Sequence, residues 1–250
     1  MPSKAERLSN WWLKAIGLTL LAGSMVGTAA VQRDMPADLE QVGLARLTAA
    51  ILLEAASWVA IPIYAWLLRT GFARTRSVGA YAGRLALLAI VSEVPYDLAS
   101  SGQLWDMTSQ NPVFAVLASL LVLALGSGAG PRGPGFSRAA RAGLWAALAL
   151  AGALWLLFFN VGLRLGIMPT GLLVLVFVLL FYFLGERPNT MMFTGAAVGV
   201  LGGITPAFGL VILHFRNGQE GLRRPSDKLA FYVLYPLCLL AAGLYRVLAP

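Results

Sequence analysis

Glu93 and Asp97 stand four residues apart in "VSEVPYDLAS", residues 91–100, at the close of the apolar run "LALLAIVSEVPYDLA". Side chains four apart share a helix face, so the two carboxylates meet on one side if the helix survives Pro95. An ionised group at the centre of a membrane helix costs about 2.5–3.5 kcal/mol on insertion scales. Glu54, Arg84, Glu93 and Asp97 all lie within or at the ends of apolar runs, so each should face protein or water. Two readings stay open for Glu93: a buried polar contact between helices, or an acid–base group acting on a substrate. Asp97 reads either as part of that site or as a helix-end carboxylate in headgroup water, with Glu93 the deeper of the two. Arg84 precedes Glu93 by nine residues, about 13 Å along a helix, too far to be its direct partner.

Other reactive types are scarce. The single cysteine, Cys238, excludes an internal disulfide and any multi-cysteine metal site, and the single histidine, His214, excludes a multi-histidine one. No metal is expected. His214 falls at a helix end, where a structural role is the plainer reading. Gly23 with Gly27 and Gly195 with Gly199 are small-xxx-small pairs that let helices approach closely.

The elements that must position these residues are membrane helices. Of 250 residues 58% are hydrophobic and only 12% charged, with mean hydropathy +0.75. A soluble domain carries roughly 25% charged residues. The fold expected is all-α, one polytopic bundle of about eight transmembrane helices near 12–31, 44–68, 79–99, 112–127, 142–163, 168–185, 190–213 and 229–248, because a span needs about 20 apolar residues. The first run could pass for a signal peptide. We expect a retained helix with Trp11 and Trp12 at the interface. "GSGAGPRGPGFSR", residues 126–138, reads as a flexible loop.

The net charge of +8 does not point to nucleic acid, because the bases sit between apolar runs. They read as positive-inside signals and as contacts to anionic lipid. Arg69, Arg74 and Arg76 share one expected loop, and Arg132, Arg138 and Arg141 another, which places the N-terminus in the cytoplasm. Eight full spans would then put Arg216, Arg223, Arg224 and Lys228 outside. The conflict disappears if 190–213 does not cross, and Gly202, Gly203 and Pro206 could break it into a re-entrant element.

Several phrases, in order, resemble the TraX family of membrane acetyltransferases. They are "VAIPIYAWLLRTGFARTRS" (59–77), "GRLALLAIVSEVPYDLA" (83–99), "NPVF" (111–114), "RNGQEG" (216–221) and "LAFYVLYPLCLL" (229–240). The resemblance runs over almost the whole chain and is densest over 59–99. It implies an integral membrane acyltransferase of the bacterial inner membrane. It assigns Ser92, Glu93, Pro95, Tyr96, Asp97, Arg76, Arg84, Asn111, Asn217, Gly218, Tyr235 and Pro236 to family motifs. If the chain is active, acetyl-CoA is the donor, Arg69, Arg74, Arg76 and Arg84 are candidates for its phosphates, and Glu93 and Asp97 are the remaining acid–base groups.

Five positions, in four motifs, depart from the family pattern. Ser24 and Met25 stand at its Asp-His pair, Trp58 at the Arg of Gly-Arg-Leu-Ala, Thr70 at the Glu of Glu-Gly-Phe, and Cys238 at the His of Tyr-Pro-x-His. Acyl transfer needs a base near neutral pH, most often His. Neither family histidine is present. Cys238 could carry an acyl thioester in principle, but a buried cysteine in apolar surroundings is inert. The residues therefore favour a catalytically silent homologue serving as an accessory subunit among other membrane subunits and lipid, against an active acyltransferase. A transporter is a distant third, motivated by the broken segment at 202–206.

Overall fold

The computed structural model describes residues 8–33, 43–128, 137–163, 168–221 and 225–248. Its helices are α1 (Asn10–Arg33), α2 (Leu44–Trp58), α3 (Ala60–Arg74), α4 (Val78–Ser100), α5 (Val113–Gly128), α6 (Arg138–Phe158), α7 (Thr170–Leu184), α8 (Pro188–Leu201), α9 (Thr205–His214) and α10 (Pro225–Leu248). Extended pairing among the described residues is limited to two isolated bridges, Leu8 with Arg216 and Gln110 with Val161. The protein is all-α. Among the described residues five stretches are long and apolar enough to cross a membrane: Asn10–Val31, Leu44–Arg74, Val78–Ser100, Arg138–Phe158 and Leu229–Leu248. Most of the loop expected at 126–138 lies outside the described residues.

Local chemistry explains the ends. The Ser77 hydroxyl accepts from Ala80 N–H at 3.2 Å to start α4, and Ser137 does the same for α6 through Ala140. The helix expected over 44–68 is instead two, broken at Val59 and carried on to Arg74. Pro62 is the reason. In a continuous helix its ring would clash with the carbonyl four residues back, Trp58, but it is tolerated in the first turn of a new helix. Arg69 and Arg74 therefore belong to α3, and only Arg76 of that expected loop group lies between helices. The helix expected to run to 163 stops at Phe158, because Asn160 and Gly162 turn the chain at φ 51° and 72°.

The helix expected over 190–213 is also two. Pro206 would clash with Gly202 in the same way, and Gly203 and Ile204 take φ 104° and 68°. α8 and α9 have 14 and 10 residues, about 21 and 15 Å long at 1.5 Å per residue. Neither spans a hydrocarbon core of about 30 Å. The pair forms a hairpin whose outer face, with Phe193, Leu201 and Phe208, is exposed. Its turn satisfies its own backbone: Ile204 N–H reaches Gly199 O at 3.0 Å and Thr205 N–H reaches Gly203 O at 2.8 Å. Internal pairing of this kind is what makes a turn tolerable at membrane depth.

The helix ends gather at two levels. Phe72 meets Tyr182 and Trp145 meets Tyr182, so the end of α3, the end of α7 and the start of α6 lie together. Leu8 and Asn10 pair with Phe215 and Gln219, which adds the start of α1 and the end of α9. We call this the basic end. At the other end the Arg246 guanidinium of α10 donates to the carbonyls of Ala99 and Ser100, closing the C-terminus of α4. The larger apolar core packs α3, α5 and α7 around Ile63, Leu120 and Phe177. A smaller one joins α1, α4 and α10 through Met25, Tyr96, Tyr235 and Leu239.

Candidate functional site

α4 continues through Pro95, so Glu93 and Asp97 keep helical spacing. Both carboxylates hold the chain that follows. Asp97 Oδ2 accepts from Asp106 N–H at 3.0 Å, and Glu93 Oε2 accepts from Asn111 N–H at 3.2 Å. The segment between α4 and α5 is thereby pinned at its middle and at its end. Asp97 is 1% exposed, whereas Glu93 is half-buried beside exposed Val94. A helix-end carboxylate that pins its own loop is covered by that loop.

Asn111 is the hub. Its side-chain oxygen accepts from Val113 N–H at 3.0 Å, capping α5, and from the Tyr235 hydroxyl of α10 at 2.8 Å. Tyr96 is fully buried, and its hydroxyl pairs with Ser109 at 2.9 Å. Ser92, Glu93, Tyr96, Asp97, Asn111 and Tyr235 thus meet where α4, α5 and α10 converge. Three polar atoms there are buried without a hydrogen-bond partner in the protein: Ser92 Oγ, Asp97 Oδ1 and Asn111 Nδ2. Pro95 and Pro236 lie within α4 and α10, each removing one backbone donor beside this centre. Ser109 was missed in the sequence because nothing marks a loop hydroxyl as inward-facing, and Asp106 because it holds Asp97 through a backbone N–H that any residue but proline offers.

Asp106 lies in the loop outside the spanning helices. Its carboxylate accepts from Thr108 N–H at 2.9 Å, and that backbone bond holds it below the ordinary carboxylate range. The folded value is below the unfolded one of about 3.9. The contribution to stability is therefore present above that value and lost as pH falls through the folded value. Hydrogen-exchange protection of the Thr108 amide is expected to fall below about pH 4, and Asp106→Asn should remove that pH dependence.

The departing positions are absorbed into packing. Met25 is 5% exposed and shares the small core with Tyr96 and Tyr235. Ser24 is buried beside it, and its carbonyl accepts from the Thr28 hydroxyl at 2.7 Å. Trp58 donates its indole N–H to Glu54 at 3.2 Å. Thr70 turns its hydroxyl back to Trp66 O at 2.8 Å. Cys238 is a free, half-buried thiol one position from Leu239 of the same core.

The remaining motif residues sit elsewhere. Glu93 is 15 residues into α4 from Val78, about 22 Å along its axis, and the arginines are at the other end. Arg74 pairs with Glu220 and donates to Gly218 O at 2.8 Å. Gly218 takes φ 72°, a conformation that favours glycine. The Asn217 side chain accepts from Gln219 N–H at 2.8 Å, shaping the same loop. Arg76 is exposed, and Arg84 is exposed with its guanidinium 5.9 Å from the Tyr81 ring. Arg69 and Arg216 both stack on Trp66. Burial, and then Arg69, push the Arg216 guanidinium below its ordinary value. His214 is exposed at the end of α9, edge-on to Phe215. The arginines therefore do not form one compact cluster with Glu93 and Asp97.

The family model described as TraX protein matches residues 12–129. No curated protein and no solved structure matches the chain. The matched stretch includes Met25, Glu93, Tyr96, Asp97 and Asn111 and stops before Asn217 and Tyr235. With its apolar spans the protein is a membrane protein, and over residues 12–129, just under half its length, it is similar to the TraX family.

Proposed function

We propose that this chain is a catalytically silent TraX homologue, an accessory subunit of a membrane assembly whose polar centre now fastens α4, α5 and α10 together. One observation carries the reading: at the position where the family resemblance puts a histidine, Met25 is packed against the same small core as Tyr96 and Tyr235. A thioether cannot serve as a base. The carboxylates beside it are engaged by the backbone of Asp106 and Asn111. The basic end would face the cytoplasm of a bacterial inner membrane by the positive-inside rule. With the α8–α9 hairpin entering and leaving at that end, the bases after α9 fall on the same side as the others. The partners proposed are lipid and other membrane subunits, met by exposed apolar faces such as Leu87, Ile90, Val91 and Val94 on α4. Nucleic acid is not among them.

An active acyltransferase is the second reading. It is favoured by the three unpartnered polar atoms Ser92 Oγ, Asp97 Oδ1 and Asn111 Nδ2. In it Glu93 is the remaining group for general-base work. The test follows thiol release from acetyl-CoA by the purified chain. No release above the protein-free rate, and co-purification with other subunits at fixed stoichiometry in mild detergent, is the expected result. Turnover that Glu93→Gln abolishes without unfolding the protein would overturn it.

A further inference from the structure

We propose that Trp66, Arg69 and Arg216 form an anion site at the basic end that takes a phosphate group, carried by an acidic lipid headgroup or by a soluble phosphate. The inference does not depend on whether the chain is catalytic. Trp66 is 8% exposed, and its indole N–H is buried without a hydrogen-bond partner in the protein. The Arg216 guanidinium carbon lies 4.3 Å from the Trp66 ring centroid and that of Arg69 lies 5.5 Å from it. Two like charges on one ring are thus no more than about 10 Å apart, the Debye length at about 0.1 M salt.

All three side chains are donors with no acceptor to offer. Among the described residues no carboxylate lies within ion-pair distance of Arg69 or Arg216, whereas nearby Arg74 is neutralised by Glu220. Arg216 spends one nitrogen, Nη1, on Leu213 O at 2.8 Å, where it closes α9, and on Met192 Sδ at 3.8 Å. That accounts for one edge of its fork and leaves the repulsion from Arg69 unanswered. A tetrahedral anion with several acceptor oxygens satisfies such a set, and guanidinium groups bind phosphate by paired hydrogen bonds. The residues come from two helices, α3 and the end of α9, so the site depends on the α8–α9 hairpin returning to this end. No pattern in the sequence links Trp66 to Arg216.

The test uses the full chain in detergent with three variants: Arg69→Gln, Arg216→Gln, and Arg138→Gln as an exposed arginine elsewhere at the same end. Native mass spectrometry with phosphatidylglycerol against phosphatidylcholine forms one arm. Tryptophan emission on titration with inorganic phosphate, referenced to Trp66→Phe, forms the other. We expect saturable binding in at least one arm, weakened about tenfold or more by Arg69→Gln and Arg216→Gln, as loss of a charge-assisted hydrogen bond would do, and unchanged by Arg138→Gln. Selective phosphatidylglycerol retention assigns the site to a lipid, and a phosphate response that depends on Trp66 assigns it to a soluble ligand. If Arg216→Gln unfolds because it closes α9, Arg69→Gln decides alone. The proposal is overturned if the parent binds neither probe selectively, or if Arg69→Gln binds as tightly as the parent.

Discussion

Asn111→Ala is expected to destabilise the protein by about 2–4 kcal/mol, combining a lost helix cap of about 1 kcal/mol with a broken buried hydrogen bond of about 1–3 kcal/mol. Asn111 is 0% exposed. Its side-chain oxygen serves two donors, Val113 N–H of α5 and the Tyr235 hydroxyl of α10. Alanine removes both interactions and leaves a small void besides. Its backbone N–H can still reach Glu93, so the loop is not released altogether. Tyr235→Phe makes the comparison sharp, because it deletes one hydroxyl and keeps the ring in the small core. That change should cost about 1 kcal/mol. Chemical unfolding in detergent, followed by far-ultraviolet dichroism, measures both. Equal costs for the two variants would mean that the cap contributes nothing and that Asn111 is not the hub described above.

Gly199→Val should destabilise the protein more than a change at any other glycine of the two small-residue pairs, Gly23, Gly27 or Gly195. A Cβ at Gly199 would meet the Ala207 backbone, 2.6 Å from its nitrogen and 2.9 Å from its Cα. Backbone cannot rotate away as a side chain can. Overpacking costs typically about 1–3 kcal/mol, and contact with fixed atoms belongs at the upper end. At Gly195 and Gly27 the nearest atoms are the flexible side chains of Leu210 and Leu53, so alanine there should cost less. At Gly23 nothing lies within 4 Å, and Gly23→Ala should be neutral or stabilising by up to about 1 kcal/mol through helix propensity. Of the two small-residue pairs seen in the sequence, three glycines mark close helix approaches and one does not. Thermal melts of the four variants in one detergent give the ranking. A Gly199→Val melt equal to that of Gly23→Ala would refute the close seam between α8 and α9.

The structure also bears on how the silent reading and the active one differ. Glu93, Asp97 and Asn111 bind backbone and one another's elements, so each has a mechanical role under either reading. The same geometry shows how three of the five departures are accommodated. Met25 is packed in an apolar core, and Trp58 and Thr70 find hydrogen-bond partners within their own helices.

Much of the architecture was legible in the residues alone. The apolar runs located the helices, because backbone hydrogen bonds in lipid must be made within a segment and about 20 apolar residues suffice to cross. Pro62 and Pro206 each contained a helix break, since a proline ring excludes the carbonyl four residues earlier, although only the second break was read from the sequence. The departures at Ser24, Met25, Trp58, Thr70 and Cys238 were visible as residue types. What tertiary structure decided was which faces meet. Asn111 finds Tyr235 across 124 residues and Arg74 finds Glu220 across 146. Asp97 turned out buried and Glu93 half-exposed, because the loop after α4 folds back over it. Arg216 came to rest on Trp66 because the hairpin returns to the basic end. The physical reason is that helix formation is local, reaching four residues along the chain. Faces toward lipid and faces toward protein are both apolar, so hydropathy cannot tell them apart. Pairing between helices is settled only by close packing and by the few polar atoms that find one another.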